Sequence, residues 1–357
     1  MEIRYLTAPK LNNNNLGNKL IGYRPCRHGP PRIEVEKKFF NGKMVIIGHN
    51  YGHSGSGWTL SKAIVNYLNN LIIEAIEEDR EDNKFISILK EKLKVNILGA
   101  GVIGLFTAYD LLKKGFKNLN VIAEQFDDLT SHIAGGLLAQ FALDIDNNDE
   151  QKLIDQFCIE TYSFYKEIAQ GKNVDFPERC AKIIPAYVDN IFTKNLEQYV
   201  ASGVMKPAKQ VFVQFDISPN KQRKMFVFDD AILVQPYEIM NKLYKILKES
   251  GNVKFIKRKI ETFEDINEAN LIINCTGIGA KKLCFDEKMY SIQGHLINLK
   301  EQKEEDLNYM IIFNGEKGIT ECGKIVERAF YMFPKRSNFE EGNIGVIGGT
   351  FVKGIFY

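Results

Sequence analysis

The chain has 357 residues, 45% of them hydrophobic and 26% charged, with a net charge of +2. This length can bury a sizeable core in one large or two modest domains. The small net charge gives no argument for nucleic acid or polyacidic partners, and the longest apolar runs have the length of strands, so no membrane span is predicted. The six cysteines show no CxxC spacing and no His/Cys cluster, so we expect no metal and a reduced intracellular setting.

The first part of the chain predicts strands, a glycine-rich loop and one helix. In chain order these are a surface loop at 12–15, strands at 32–35 and 44–48 around a tight turn at Asn41-Gly42, a glycine-rich loop at 52–57 and a helix over 59–76. The stretch 77–94 begins with a charge-rich break and ends in a short helical piece. We interpret it as a connector.

A dinucleotide-binding pattern follows this connector. An apolar strand at 95–98 leads into Gly99-Ala100-Gly101-Val102-Ile103-Gly104, and a helix is predicted over 102–114. Gly115 directly follows the predicted helix, at the position where a C-cap glycine ends a helix. A strand before the glycines and a helix after them make the pattern more specific than the glycines alone.

Each glycine of this pattern has its own physical role. Gly99 permits the tight turn, Gly101 lets the backbone approach a pyrophosphate, and Gly104 lets helix and strand pack closely. Glu124 stands 20 residues after Gly104, at the end of the next strand. Its carboxylate would accept hydrogen bonds from a ribose hydroxyl, and it disfavours a 2′-phosphate.

The remaining elements are mixed. Helices are predicted at 149–169 and 236–250, and strands at 211–216, 225–228, 253–256 and 271–274. One βαβ opening among mixed strands and helices predicts an α/β (α+β) fold, with a Rossmann-like domain beside a mixed-sheet substrate domain.

Several segments resemble the D-amino acid oxidase family of flavoenzymes. They include Gly22-Tyr23-Arg24-Pro25, the run from Asn50 to Thr59, Asn274-Cys275-Thr276-Gly277 and Tyr331-Met332-Phe333-Pro334. In that family the glycine fingerprint lies near the N-terminus, and the first two segments lie near the C-terminus. The resemblance therefore implies a circularly permuted chain. The implied segments are 1–94 (family C-terminal-like), 95–140 (FAD-binding core), 141–250 (substrate domain), 251–284 (return to the FAD domain) and 285–357 (substrate domain).

The resemblance implies FAD as the cofactor. The residues that would contact it are Gly99, Gly101, Val102, Ile103, Gly104, Glu124, Thr130, Ser131, Gly135, Gly136, Ile260, Thr276 and Gly277, together with Ser54, Gly55, Ser56, Gly57 and Thr59 from the displaced loop.

The resemblance also implies a substrate site. Arg24 would hold the substrate carboxylate, because a guanidinium fork makes two parallel charge-assisted hydrogen bonds. Tyr331 would place its hydroxyl on the same carboxylate, and the Gly55 carbonyl would accept from the substrate amine. The implied reaction is oxidative deamination of a D-amino acid by oxygen.

Two alternatives stay open. Glu327 stands where vertebrate D-amino acid oxidases have a second tyrosine, and D-aspartate oxidases instead carry a basic residue nearby, for which Lys324 and Arg328 are the candidates. The permuted order also allows a non-catalytic flavin-binding remnant. The expected partners are a small D-amino acid and oxygen. A homodimer is left open, and the expected compartment is the peroxisome or the cytoplasm.

Overall fold

The computed structural model describes residues 1–40, 42–78, 90–189, 192–266, 268–319, 323, 325–336 and 344–353. Two large sheets organise these residues. One has nine strands, the other has six, and a two-stranded sheet accompanies them.

The strands are β1 Ile3–Leu6, β2 Leu16–Arg27, β3 Arg32–Phe40, β4 Lys43–Tyr51, β5 Val95–Leu98, β6 Leu119–Ala123, β7 Ala181–Ile183, β8 Ala186–Val188, β9 Lys209–Phe215, β10 Gln222–Phe228, β11 Ile232–Val234, β12 Val253–Lys257, β13 Leu271–Asn274, β14 Met289–Leu299, β15 Met310–Ile319, β16 Ile325–Arg336 and β17 Ile344–Lys353. The nine-stranded sheet has the order β1-β9-β10-β8-β15-β16-β17-β14-β2, the six-stranded sheet has the order β12-β6-β5-β13-β4-β3, and β11 pairs with β7. The α-helices are α1 Gly57–Glu77, α2 Val102–Lys113, α3 Thr130–Ile133, α4 Asn148–Ala169, α5 Glu197–Ala201, α6 Pro236–Glu249 and α7 Ala280–Leu283.

The central strands of the six-stranded sheet are mostly apolar, and each of β5, β6 and β13 carries a single asparagine. Every residue of β5, β6 and β13 is buried, as expected for parallel strands covered on both faces. Helix α1 packs one apolar face against this sheet, since Leu60, Ile64, Leu68 and Ile72, which recur at helical spacing, are fully buried. The predicted α/β (α+β) fold is confirmed.

Predicted helices and strands within the described residues are confirmed, with shifted ends. Asn12, Asn13 and Asn14 are exposed, as predicted for a surface loop. Asn13–Asn15 form a short 3-10 turn, and Asn15 departs from the prediction, since it is only 3% exposed and its amide donates to the Lys300 carbonyl at 3.2 Å. Asn41 of the predicted turn, and residues 79–89 of the predicted connector, lie outside the described residues.

The early segment takes part in both large sheets. Strand β2 pairs antiparallel with β14, and β4 pairs parallel with β13, which also pairs with β5. The loop after β4 therefore lies at the same edge of the sheet as the end of β5, where the glycine fingerprint begins, with only β13 between the two strands. None of the described helices is long and apolar enough to cross a membrane.

Candidate active site and flavin site

The turn after β5 can be formed only by glycine at two positions. Gly99 has φ +100°, and a Cβ there would lie 2.4 Å from the Cys275 carbonyl oxygen. A Cβ on Gly104 would lie 2.0 Å from the Gly99 carbonyl oxygen. These approaches bring α2 against the ends of β5 and β13, so side chains at 99 and 104 would force the helix away.

The start of α2 faces a hydroxyl rather than an acidic side chain. Its first turn contains no acidic residue, and the Ser131 hydroxyl accepts a hydrogen bond from the Val102 N–H at 2.9 Å. A Cβ on Gly101 would meet only this hydroxyl oxygen, at 3.2 Å. Helix N-termini of this kind favour anionic groups. The predicted residues Val102, Ile103 and Ser131 therefore lie together at a helix start whose dipole suits an anionic group.

Neighbouring strand ends bring further predicted residues to this edge. Glu124 follows β6 and is exposed. Ile260 follows β12, which pairs parallel with β6, and it is partly buried against an apolar cluster. Thr276 and Gly277 follow β13, and the Thr276 hydroxyl donates to the Asn274 side-chain oxygen at 2.7 Å. Ligands of open α/β sheets bind at this edge.

The segment from Thr130 to Gly136 connects this edge to the nine-stranded sheet. The Thr130 hydroxyl accepts from the Tyr23 N–H at 3.3 Å and donates to its carbonyl at 3.2 Å. A Cβ on Gly135 would lie 2.8 Å from the Phe333 ring. Gly136 has φ +98°, and a Cβ there would lie 2.3 Å from the Val234 carbonyl oxygen. Both glycines therefore allow close approach between chain segments.

The loop before α1 is tied to the residues after Gly136. Gly55 donates its N–H to the Phe141 carbonyl at 3.1 Å. The Ser56 hydroxyl accepts from the Phe141 N–H at 2.8 Å, and the Thr59 hydroxyl donates to the Ala139 carbonyl at 2.9 Å. The hydroxyl of Thr59 and the N–H of Gly55 are thus engaged within the protein. Their predicted cofactor roles stay predictions.

The rest of this loop combines a strained residue with open space. Ser54 is buried at φ +54°, in the left-handed region that favours glycine. No atom lies within 4 Å of a Cβ built on Gly57. The indole N–H of Trp58 donates to the Ser131 carbonyl at 3.0 Å, which holds the start of α1 against the Thr130–Gly136 segment.

Arg24 lies on β2 with one nitrogen unsatisfied. Its Nη1 is buried and has no hydrogen-bond partner among the described residues. Its Cζ lies 4.6 Å from the centroid of the Phe351 ring and 5.9 Å from that of Phe141. Gly294 on the adjacent strand β14 leaves the space in which the guanidinium lies, since a Cβ there would be 2.4 Å from Nη1.

Tyr331 on β16 lies close enough to Arg24 for each to affect the other's pKa. Burial lowers the pKa of the Arg24 guanidinium, and Tyr331 opposes this. Burial also raises the pKa of the Tyr331 phenol, with Arg24 opposing. A Cβ on Gly348 would lie 3.0 Å from the Tyr331 Cζ. The two strands between β2 and β16 are β14 and β17, and their glycines Gly294 and Gly348 leave room for the side chains of Arg24 and Tyr331. The raised pKa keeps the Tyr331 phenol neutral at physiological pH.

Arg328, one of the two candidates for binding an acidic substrate side chain, lies on the same strand as Tyr331, and so does Glu327. Glu327 forms an ion pair with Lys317 at 3.3 Å. The Arg328 side chain is exposed. Lys324 lies outside the described residues.

Two histidines near the loop are bound within the protein. His49 contacts Glu36 at 2.9 Å, and burial lowers its pKa. His53 contacts the Asn50 side chain at 2.8 Å, and burial lowers its pKa to about 3. Both imidazoles are therefore neutral, hydrogen-bonded groups of the scaffold.

Sequence reasoning missed several residues that shape this site. The aromatic side chains Phe141 and Phe351 flank the guanidinium of Arg24. Lys335, only 2% exposed, lies on β16 at the same alternation as Tyr331 and Phe333. Side chains alternate between the two faces of a strand, so counting in steps of two from Tyr331 places Lys335 on the same face of the sheet. This is the one signal in the sequence that could have identified Lys335.

The residues at the edge of the six-stranded sheet fit FAD. No Cβ can be accommodated at Gly99 or Gly104, the start of α2 carries no acidic residue, and the exposed carboxylate of Glu124 follows the next strand. This is the donor and acceptor set that a pyrophosphate and a ribose require.

The comparisons with known proteins agree with this assignment. The family model DAO, described as FAD dependent oxidoreductase, matches residues 94–354. The chain therefore belongs to this FAD-dependent oxidoreductase family, and FAD is its cofactor. The matched range leaves out residues 1–93, where Arg24 and the loop at 52–59 lie.

Named relatives are distant. A D-amino-acid oxidase of Dictyostelium discoideum is 23% identical over 63% of this chain and 62% of the relative. A D-amino-acid oxidase of Schizosaccharomyces pombe is 26% identical over 72% of this chain and 68% of the relative. A D-aspartate oxidase of Homo sapiens is 22% identical over 58% and 60%. The chain thus spans about three fifths of the length of the Dictyostelium and human relatives.

Solved structures with a similar arrangement include a glycine oxidase from Bacillus cereus, with a TM-score of 0.45 and 16% identity over 74% of this chain and 73% of that one. A fructosamine oxidase from Aspergillus fumigatus has a TM-score of 0.48 and 16% identity over 75% and 68%.

Proposed function

We propose that the protein is an FAD-dependent D-amino acid oxidase. The reaction converts a D-amino acid, oxygen and water into a 2-oxo acid, ammonia and hydrogen peroxide. The curated relatives support a D-amino acid as the substrate, since they include oxidases named for D-amino acids and for D-aspartate. The reaction therefore needs the amino acid, oxygen and water, and no macromolecular partner.

The unsatisfied Arg24 guanidinium carries the proposal. Its Nη1 is buried without a partner among the described residues, and a buried donor of this kind costs free energy unless a ligand satisfies it. A substrate carboxylate supplies the missing acceptor and the missing negative charge in one group. Every α-amino acid has that carboxylate, so Arg24 would recognise α-amino acids in general. The rest of the pocket would select among their side chains.

Tyr331 would complete the carboxylate site. Its hydroxyl is neutral because burial raises the pKa of the phenol, and a neutral hydroxyl can donate to the carboxylate while the guanidinium holds the charge. Phe351 and Phe141 flank the guanidinium and replace water there, which strengthens its hydrogen bonds to an anion. The Gly55 carbonyl remains the proposed acceptor for the substrate amine.

FAD supplies the chemistry that the side chains cannot, since it accepts the hydride from the substrate α-carbon. The pyrophosphate would be held at Gly101, Val102 and Ser131, and the ribose at Glu124. The Thr130–Gly136 segment and the loop at 52–59 would hold the flavin. The protein's own contribution is to place the substrate against the cofactor, and such placement can supply much of the rate enhancement.

The circularly permuted order is part of the proposal. Pairing of β4 with β13 and of β2 with β14 supports it, because the early segment occupies interior and edge positions of the two sheets that the later segments build. The residues that would hold the substrate and the flavin then come from both parts of the chain.

A preference for acidic D-amino acids is the second candidate. One relative is named as a D-aspartate oxidase, and Arg328 is a cation on the strand that carries Tyr331. A third candidate is a flavin-binding protein without turnover.

Peroxide and ammonia release from the purified FAD-loaded protein tests the proposal. The panel is D-alanine, D-proline, D-phenylalanine, D-aspartate and glycine, with the L-enantiomer of each chiral member as the matched control. We expect peroxide from D-amino acids and none from L-amino acids. Ammonia should equal peroxide for the primary amines, whereas D-proline should release peroxide without ammonia, because its cyclic imine keeps the nitrogen when water opens the ring. Turnover of D-aspartate well above the others, reduced in Arg328→Ala, would favour the second candidate. Bound FAD without turnover of any substrate would favour the third.

A further inference from the structure

Lys335 is a buried cation that the proposed reaction does not use. It is 2% exposed, and its ammonium donates to three main-chain carbonyls, those of His132 at 3.2 Å, Ile133 at 2.8 Å and Ala134 at 2.9 Å. An ammonium has three protons, so this arrangement uses its whole donor capacity on one turn of chain.

The three carbonyls need such a donor. Helix α3 has only four residues, and the last carbonyls of a helix have no partner within it. The Ala134 N–H reaches back to the Thr130 carbonyl at 3.1 Å. Lys335 donates to the carbonyls that follow in the chain, those of His132, Ile133 and Ala134.

The turn that Lys335 holds is the one that joins the parts of the site. Ser131 in this turn contacts the first N–H of α2 and the indole of Trp58, and Thr130 contacts the backbone of Tyr23. Lys335 itself belongs to β16, two residues beyond Phe333, whose ring lies against Gly135. A shift of this turn would therefore displace the helix start and the loop before α1 together.

The charge of Lys335 is held by dipoles rather than by a carboxylate at hydrogen-bond distance within the described ranges. Burial lowers the pKa of the ammonium to about 7, and the three carbonyls oppose this because they stabilise the charged form. The neighbouring His132 imidazole has a pKa lowered by burial and by Lys335, whereas Asp127 and Asp128 raise it. An anionic group bound at this turn would favour the ammonium further.

We propose that Lys335 is a positioning residue for FAD, which holds the Thr130–Gly136 turn in its binding conformation through the carbonyls of His132, Ile133 and Ala134. This inference rests on the proposed flavin role of that turn. It does not depend on which substrate the enzyme oxidises.

The test compares FAD binding by Lys335→Met, Lys335→Gln and Lys335→Arg, with Lys19→Met as control because Lys19 is an exposed lysine of the same sheet. The dissociation constant for FAD, the visible spectrum of the bound flavin and the melting temperature of the FAD-free protein are measured. Losing charged hydrogen bonds should weaken FAD binding by about tenfold to hundredfold in the Met and Gln variants. The flavin spectrum should also change, and Lys335→Arg should restore part of both.

Wild-type FAD affinity and flavin spectrum in folded Lys335→Gln would overturn the inference, even if the melting temperature fell, because a purely structural role predicts that result. If Lys335→Met does not fold, the Gln and Arg pair still decides the question. Failure of the proposed reaction with wild-type FAD binding intact would leave the inference standing. Failure of the wild-type protein to bind FAD would overturn both.

Discussion

Arg24 and Lys335 are two buried or partly buried cations on one sheet, and their surroundings differ. Arg24 on β2 keeps a buried nitrogen with no described partner and has aromatic rings as neighbours. Lys335 on β16 donates all three ammonium protons to main-chain carbonyls. An unused buried donor suits direct contact with a ligand, whereas a cation whose donors are all used can act on a ligand only through the chain segment that it holds. The two sites should therefore respond differently to substitution.

Arg24→Ala should produce the largest effect on turnover. Loss of a charge-assisted pair to the carboxylate is worth about 3 kcal/mol, which lowers kcat/KM by about a hundredfold or more. FAD affinity should stay normal, in contrast to the Lys335 variants. The free energy of unfolding should change by about 1 kcal/mol or less, because the guanidinium contributes ring contacts but no complete set of hydrogen bonds. Steady-state kinetics, flavin titration and denaturant unfolding measure the three quantities, and unchanged turnover would exclude Arg24 as the anchor.

Gly294→Ala tests the same site without touching a charged group. The added Cβ would lie 2.4 Å from the Arg24 Nη1, so the guanidinium must move. This displacement of the guanidinium should lower kcat/KM by about thirtyfold, mainly by raising KM. Gly318→Ala on β15 is the control, because its Cβ would meet a Val326 methyl at an ordinary 3.7 Å. Equal kinetics for the two variants would show that the position of the guanidinium does not limit substrate binding.

Tyr331→Phe removes one hydroxyl and keeps the stacking on Phe333, whose ring centroid lies 4.7 Å away. One hydrogen bond to a carboxylate is worth about 1.4 kcal/mol, so kcat/KM should fall about tenfold. Combined with Arg24→Ala, the loss should be smaller than the sum of the single losses, since both groups hold one carboxylate. Strict additivity in this cycle would argue that they act on different parts of the substrate.

Cleavage of the chain within 77–83, at an inserted protease site, should have the smallest effect. The two fragments should stay associated with FAD bound, because β2 and β4 on one fragment pair with β14 and β13 on the other. Gel filtration and flavin absorbance of the cleaved protein measure this, and long connectors add little closure entropy. Fragment 84–357 alone should bind FAD poorly. Tight FAD binding by that fragment would refute the role of the loop at 52–59.

Local patterns in the sequence were enough to predict the strands of the six-stranded sheet. The largely apolar strands β5, β6 and β13, the glycines at 99, 101 and 104 and the apolar face of α1 are short-range features, and each predicts its own element. The nine-stranded sheet was largely missed. Its long strands β2, β14 and β16 mix polar and apolar residues, and their partners are far away in the chain, so only pairing in three dimensions defines them.

The sequence by itself predicted a dinucleotide cofactor through its glycine pattern, and its resemblance to a known family implied FAD and Arg24 as the candidate anchor, because these motifs are contiguous. Only the tertiary structure decided how the residues are used. It brought Gly294 and Gly348 under Arg24 and Tyr331, left the Arg24 Nη1 without a described partner, and directed Lys335 onto the carbonyls of His132, Ile133 and Ala134. Whether a buried charge is satisfied depends on atoms from distant segments, and no local pattern carries that information.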